Sequence, residues 1–99
     1  MLHIVNRSPT ETNSLAACMR LARPGDAVLM IEDGVCAALD GTAFASRMAA
    51  RTTELDFYVL GPDIVARGLA DQALISGVEQ VDYQGFVELV AGCSLTQSW

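Results

Sequence analysis

The sequence predicts an α/β fold, a small sandwich of helices around a mainly parallel β-sheet. Three observations lead there. Apolar segments of strand length alternate with segments whose apolar residues recur at helical spacing. The connections between them are short, so the alternation reads as a series of strand–helix–strand crossovers. Residues 27–31, Ala-Val-Leu-Met-Ile, form an unbroken apolar run, as expected of a strand covered on both faces of a parallel sheet.

The elements follow in order. Leu2 to Val5 is apolar and β-branched, and Asn6-Arg7-Ser8-Pro9 closes it as a turn. Residues 10–14 offer capping side chains, and Leu15, Cys18, Met19 and Ala22 then recur at i, i+3, i+4 and i+7, the stripe of a buried helix. Arg23-Pro24-Gly25-Asp26 ends it, and the 27–31 strand follows. Residues 42–51 read as a second helix, with Phe44 and Met48 on one face and arginines near its negative end. A third strand spans 55–60 and stops at Gly61-Pro62. Residues 63–68 look like a short helix with an acidic start and a glycine stop. A last strand covers 78–83, and a helix over 85–93 carries Phe86, Leu89 and Val90 on one face.

At 99 residues the chain has room for one core, so residues 1–99 are expected to be a single domain. Hydrophobic residues make up 52% and charged residues 18%, below the usual ~25%, so more of the surface than usual is apolar or neutral and association is expected. Six scattered arginines, no lysine and twelve acids give a net charge of −6, which argues against direct contact with a phosphate backbone. No apolar run reaches the ~18 residues of a membrane span, and Met1-Leu2-His3 lacks the basic flank of a signal segment, so a cytoplasmic protein is expected.

Chemistry is sparse. Cys18, Cys36 and Cys93 are far apart with no C-x-x-C, so neither a zinc site nor a dithiol is indicated, and no metal or cofactor is expected. Cys36 follows a strand end at an expected helix N-terminus, where the dipole favours a thiolate, but Glu32 and Asp33 oppose this and no basic residue is near in sequence. Cys18 lies on the apolar stripe, where packing is the ordinary role. Glu32, Asp33 and Asp40 suggest magnesium only weakly, since acids at strand ends also form turns and caps. His3, the sole histidine, lies within a strand and reads as a satisfied structural group. No phosphate-cradling glycine motif is present.

Five segments in order, "LHIVNRSP", "LMIEDGVCAAL", "FYVLGPDIVARGL", "VDYQGFVEL" and the closing "QSW", make the chain similar to the TusB/DsrH family over almost its whole length. The resemblance implies a small Rossmann-like three-layer sandwich. It also implies a heterohexamer with two related subunits, TusC/DsrF-like and TusD/DsrE-like, that relays persulfide sulfur through a TusE/DsrC-like carrier. In Tus-type members the destination is 2-thiouridine at the tRNA wobble position; in Dsr-type members it is sulfur oxidation. The principal sulfur-accepting cysteine belongs to a sister subunit in both. On this resemblance Cys18 becomes a candidate accessory sulfur-accepting thiol, and Cys36 reads as packing. Trp99, Asp33 and Gly34 are the candidate interface residues: the terminal aromatic packs on its own domain or a neighbour, Gly34 permits a positive φ or close backbone approach, and the acids cap the next segment or meet a partner's arginine. The competing reading is a stand-alone α/β domain that binds a small molecule at the strand ends near Asp33 and Asp63.

Overall fold

The computed structural model describes residues 1–8, 13–42 and 44–99. Within them lie five strands, β1 (Leu2–Val5), β2 (Ala27–Met30), β3 (Asp56–Leu60), β4 (Val78–Val81) and β5 (Thr96–Ser98). Four α-helices accompany them: α1 (Ser14–Leu21), α2 (Ala45–Ala49), α3 (Gly61–Ala66) and α4 (Tyr83–Gly92). A 3-10 helix covers Glu32–Ala38. The strands form one sheet in the order β4-β3-β2-β1-β5, and every pairing is parallel.

β2 is central, and all four of its residues are buried. Its alternate side chains feed two different layers. Val28 and Met30 join Val5, Phe57 and Val59 beneath Leu15, Cys18 and Met19 of α1, Val35, Ala37 and Ala38 of the 3-10 helix, Met48 of α2 and Ile64 of α3. Ala27 and Leu29 join Leu2 on the opposite face, packed by Phe86 and Leu89 of α4 and by Cys93. The result is a three-layer α/β sandwich, with four helical segments on one face and α4 on the other.

Local chemistry sets the element ends. α3 leaves β3 without a loop, because Pro62 in its first turn has a fixed φ and needs no hydrogen-bond acceptor there. It stops where Gly68 takes φ +68°. Asp82 caps α4, its carboxylate accepting from the Gly85 amide at 2.8 Å. That cap places Tyr83 in the helix, so the last long strand ends at Val81 and not at residue 83. α2 is shorter than its apolar spacing implies, since residues 50–53 turn away towards β3. The guanidinium of Arg51, just past α2, donates to the carbonyls of Met19 and Ala22. It thereby caps the negative end of α1 and ties the two helices together.

β5 is absent from the sequence reading. Its three residues are all exposed and carry no apolar alternation; only pairing with the edge of β1 makes them a strand.

Gly34 shows why "EDG" follows β2. A Cβ built there would lie 2.3 Å from the Val5 carbonyl oxygen. The 3-10 helix therefore crosses the end of β1 at a distance only glycine permits. Gly34→Ala is expected to destabilise the protein by roughly 2 kcal/mol or more, since backbone and not a flexible side chain must yield. Urea unfolding of the two proteins measures the difference; equal midpoints would contradict this account of the crossing.

Candidate functional site

The carboxyl ends of β1, β2 and β3 gather one group of polar side chains. Glu32 leaves β2 with φ +51°, a left-handed conformation that a side-chain-bearing residue rarely adopts. The backbone is held there by Asp63 at the start of α3, whose carboxylate accepts the Glu32 amide hydrogen at 2.6 Å. Beside it Asp33 pairs with Arg67, with Nε donating to Oδ1 at 3.0 Å. The hydrogen bond to Asp33 raises the Arg67 pKa above its ordinary value; desolvation opposes it, and the charges of Asp33, Asp63 and Cys36 add to the rise.

Sequence reasoning missed Arg67. Its separation from Asp33 hides the pair until α3 folds back on the 3-10 helix. Asp33 thus meets an arginine of its own chain, where a partner's arginine was one expectation. Gly34, offered as an interface residue, is buried, and the contact that requires it is internal. Cys36 is half-buried and sits in the second half of the 3-10 helix, not at a helix N-terminus. The dipole argument for an activated thiol does not apply to that position.

Cys18 is fully buried among the residues of the larger core cluster. Burial pushes its thiol from 9.0 up to about 12, Arg51 opposes the shift, and Asp26 adds to it. In this conformation the thiol is protonated and enclosed at neutral pH, so the chemistry expected of an accepting thiolate is suppressed. Cys93, at the end of α4, is half-buried against the opposite face. Among the described residues no group of three or more His, Cys, Asp or Glu is arranged to hold a metal ion.

A second polar group lies at the amino ends of β1 and β2. Asp26 accepts from the Met1 ammonium at 3.0 Å, from the Arg23 amide at 3.0 Å, and bonds His3 Nε2 at 2.9 Å. Burial pushes this carboxyl upward, but the bonds from Arg23, His3 and the ammonium outweigh it and hold the group well below the usual carboxylate range. Trp99 completes the group. Its indole Nε1 donates to His3 Nδ1 at 3.1 Å, and its amide donates to the Ile4 carbonyl at 2.9 Å. Of the two sites expected for the terminal aromatic, the structure shows its own domain.

Exposed apolar side chains lie on α4, as they do at Leu21 and Val65. Tyr83, Val87 and Val90 are 63%, 64% and 38% exposed and fall at i, i+4 and i+7, so they form one exposed apolar stripe. Leu95, 61% exposed, follows in the chain. An open groove of about 530 Å³ runs between α3 and α4, lined by Gly61, Pro62, Val65, Gln80, Val81, Asp82 and Gly85. It lies beside the Asp33–Asp63 corner and not at it.

Comparison with known proteins adds to this geometry. The family model described as "DsrH like protein" matches residues 7–94. Proteins named Protein TusB from Shigella flexneri and from Escherichia coli O139:H28 are each 37% identical over 99 residues, the full length of both chains. The crystal structure of the ychN protein from E. coli superposes with a TM-score of 0.86 at 18% identity, covering 99% of this chain and 97% of that one. A protein of unknown function from Methanobacterium thermoautotrophicum, MTH1491, gives 0.76 at 16% identity, over 99% and 96%. At those identities the two structures speak for the fold alone.

Two predictions arise here. Under native conditions near neutral pH, an alkylating reagent is expected to modify Cys36 and Cys93 and to leave Cys18 unmodified until the chain unfolds; peptide mass spectrometry distinguishes them. Native labelling of Cys18 would show that α1 opens readily. The second concerns alkaline pH. The Cys18 pKa is raised in the folded state, so the unfolded chain releases this proton first and stability falls as pH rises from 9.0 to about 12. The fall is at most about 1.4 kcal/mol per pH unit, and Cys18→Ala should lack this component when the two are compared by urea unfolding.

Proposed function

Because the chain belongs to the TusB/DsrH family, we propose that it is a sulfur-relay subunit that supplies assembly surface, while a sister subunit supplies the principal sulfur-accepting cysteine. The assembly is a heterohexamer with TusC/DsrF-like and TusD/DsrE-like partners. It delivers persulfide sulfur through a TusE/DsrC-like carrier towards 2-thiouridine at the tRNA wobble position. The protein acts in the cytoplasm and makes no direct contact with nucleic acid, a reading its net charge of −6 supports.

The observation that carries the proposal is the apolar stripe of Tyr83, Val87 and Val90 on α4. A contiguous apolar surface of this kind marks a place where another protein sits. The uneven layering supports the same reading, because the face behind α4 has a single helical cover and leaves Ile4, Ile31 and Tyr58 only partly buried. A sister subunit of the same fold is the proposed occupant. The burial of Cys18 weighs against the alternative in which this chain itself accepts sulfur in a Dsr-type oxidation complex. The open form of the groove between α3 and α4, which encloses little, weighs against a stand-alone binding domain.

Val87→Glu tests the proposal. Its side chain is 64% exposed, so the isolated chain should keep its thermal stability to within about 0.5 kcal/mol. Placed in the interface, the added carboxylate must be desolvated without a partner, and co-expression with the two sister subunits should yield a complex depleted of this chain. Native mass spectrometry reads the composition. A hexamer assembled normally with Val87→Glu would remove α4 from the interface.

A further inference from the structure

His3 is 2% exposed, and its two ring nitrogens have different and fixed duties. An indole N–H can only donate, so the 3.1 Å contact from Trp99 Nε1 requires His3 Nδ1 to accept. The proton of the neutral ring then resides on Nε2, where it is donated to Asp26 at 2.9 Å. An imidazolium carries a proton on both nitrogens and accepts at neither. Protonation of His3 and the Trp99 hydrogen bond therefore exclude one another, whereas the Asp26 contact survives protonation and becomes an ion pair.

We propose that β5 is held as a proton-released latch: uptake of one proton at His3 Nδ1 expels the Trp99 indole and frees residues 96–99 from the edge of β1, leaving the rest of the sheet in place. The geometry allows the tail to leave alone. β5 is three residues long, all exposed, on one edge of the sheet and paired only with β1. Its other anchors are three paired positions with β1, the bonds from Leu2 N to Leu95 O and from Trp99 N to Ile4 O, each 2.9 Å, and the packing of Trp99 against the larger core cluster. β1, in contrast, stays bound to β2 through four paired positions.

The groups facing His3 carry both signs of charge. Asp26, on the loop before β2, remains ionised well below the pH at which histidine charges and stabilises the imidazolium. Against it stand the Met1 ammonium, which already lies on that carboxylate, and Arg23, which lines the same cavity as His3. In the helical layer Arg51 is engaged with the carbonyls of Met19 and Ala22, and burial keeps the Cys18 thiol protonated. Val28 on β2 and Gln97 on β5, the neighbours of His3 in register, bring no charge.

The chain has one tryptophan and one histidine, so both halves of the latch can be read without labelling variants. The full-length protein is titrated from about pH 8 to about pH 5, the interval in which histidine charges. Trp99 emission should shift to the red and its quenching by acrylamide should rise several-fold. The midpoint should match that of His3 ring-nitrogen NMR shifts, with the far-ultraviolet circular dichroism of the helices unchanged. Below that midpoint the docked-to-released ratio should fall by up to about tenfold per pH unit. The protection of the amides at 96–99, taken relative to their intrinsic exchange rate at each pH, should fall in the same interval, and in Trp99→Phe it should already be low at neutral pH with no further step. A His3 that becomes doubly protonated while Trp99 stays quencher-protected overturns the latch. So does a His3 that stays neutral until the whole chain unfolds, or a Trp99→Phe protein that keeps the pH step at 96–98.

Discussion

The structure depends on the burial of β2 from both sides. Val28, Leu29 and Met30 are each 0% exposed, which requires a cover on each face of the sheet and a neighbour strand on each edge of β2. Parallel strands cannot be joined by tight hairpins, so each neighbour arrives through a crossover that itself supplies cover. Fold and layering thus follow from one apolar run. Removing even one of these side chains costs a few kcal/mol, because its site is enclosed on all sides.

The two covers are unequal, and the function proposed for the chain rests on that inequality. α1, the 3-10 helix, α2 and α3 fill one face with large buried groups, including Leu15, Met48, Val35 and Ile64. α4 spans the other face and has no fully buried residue of its own. Such a helix gains little from one-sided packing in an isolated chain, and its outer apolar stripe would go on losing to water. A second protein layer against it turns the same residues into core. The low fraction of charged residues agrees with the proposed association, since surface covered by neighbours does not need charge to stay in solution.

What the sequence made legible was periodic. The β2 run, the Leu15–Cys18–Met19–Ala22 stripe and the Gly61-Pro62 stop each state a local preference that the tertiary structure keeps, and Cys18 is buried as its stripe position implies. What was not legible depends on residues brought together from afar. Nothing local marks Arg67 as the partner of Asp33, or Asp63 as the acceptor that holds Glu32 in a left-handed conformation. Cys36 was misplaced because a 3-10 helix looks in sequence like the first turn of an α-helix, and only the latter has a strong dipole at its start. β5 was invisible for a similar reason: an exposed edge strand takes its conformation from its neighbour and need not advertise it in side chains.

The same absence of side-chain commitment makes β5 the part of the sheet whose attachment is closest to balance. Fixing residues 96–99 costs on the order of 1–2 kcal/mol each in backbone entropy. The compensating hydrogen bonds contribute roughly 1 kcal/mol apiece, and half-burying one indole adds about 2 kcal/mol. These opposing sums agree to within a few kcal/mol, so one bond is a substantial part of what keeps the tail docked. That bond runs from the Trp99 indole to His3, and His3 is oriented by Asp26, which also gathers the Met1 ammonium and the Arg23 amide. The amino end of the sheet is therefore organised by one carboxylate whose effect reaches the last residue through one imidazole. A phenylalanine in place of Trp99 would supply much of the burial and none of this coupling. It follows that the indole N–H, and not its bulk alone, ties the tail to the protonation state of the strand beside it.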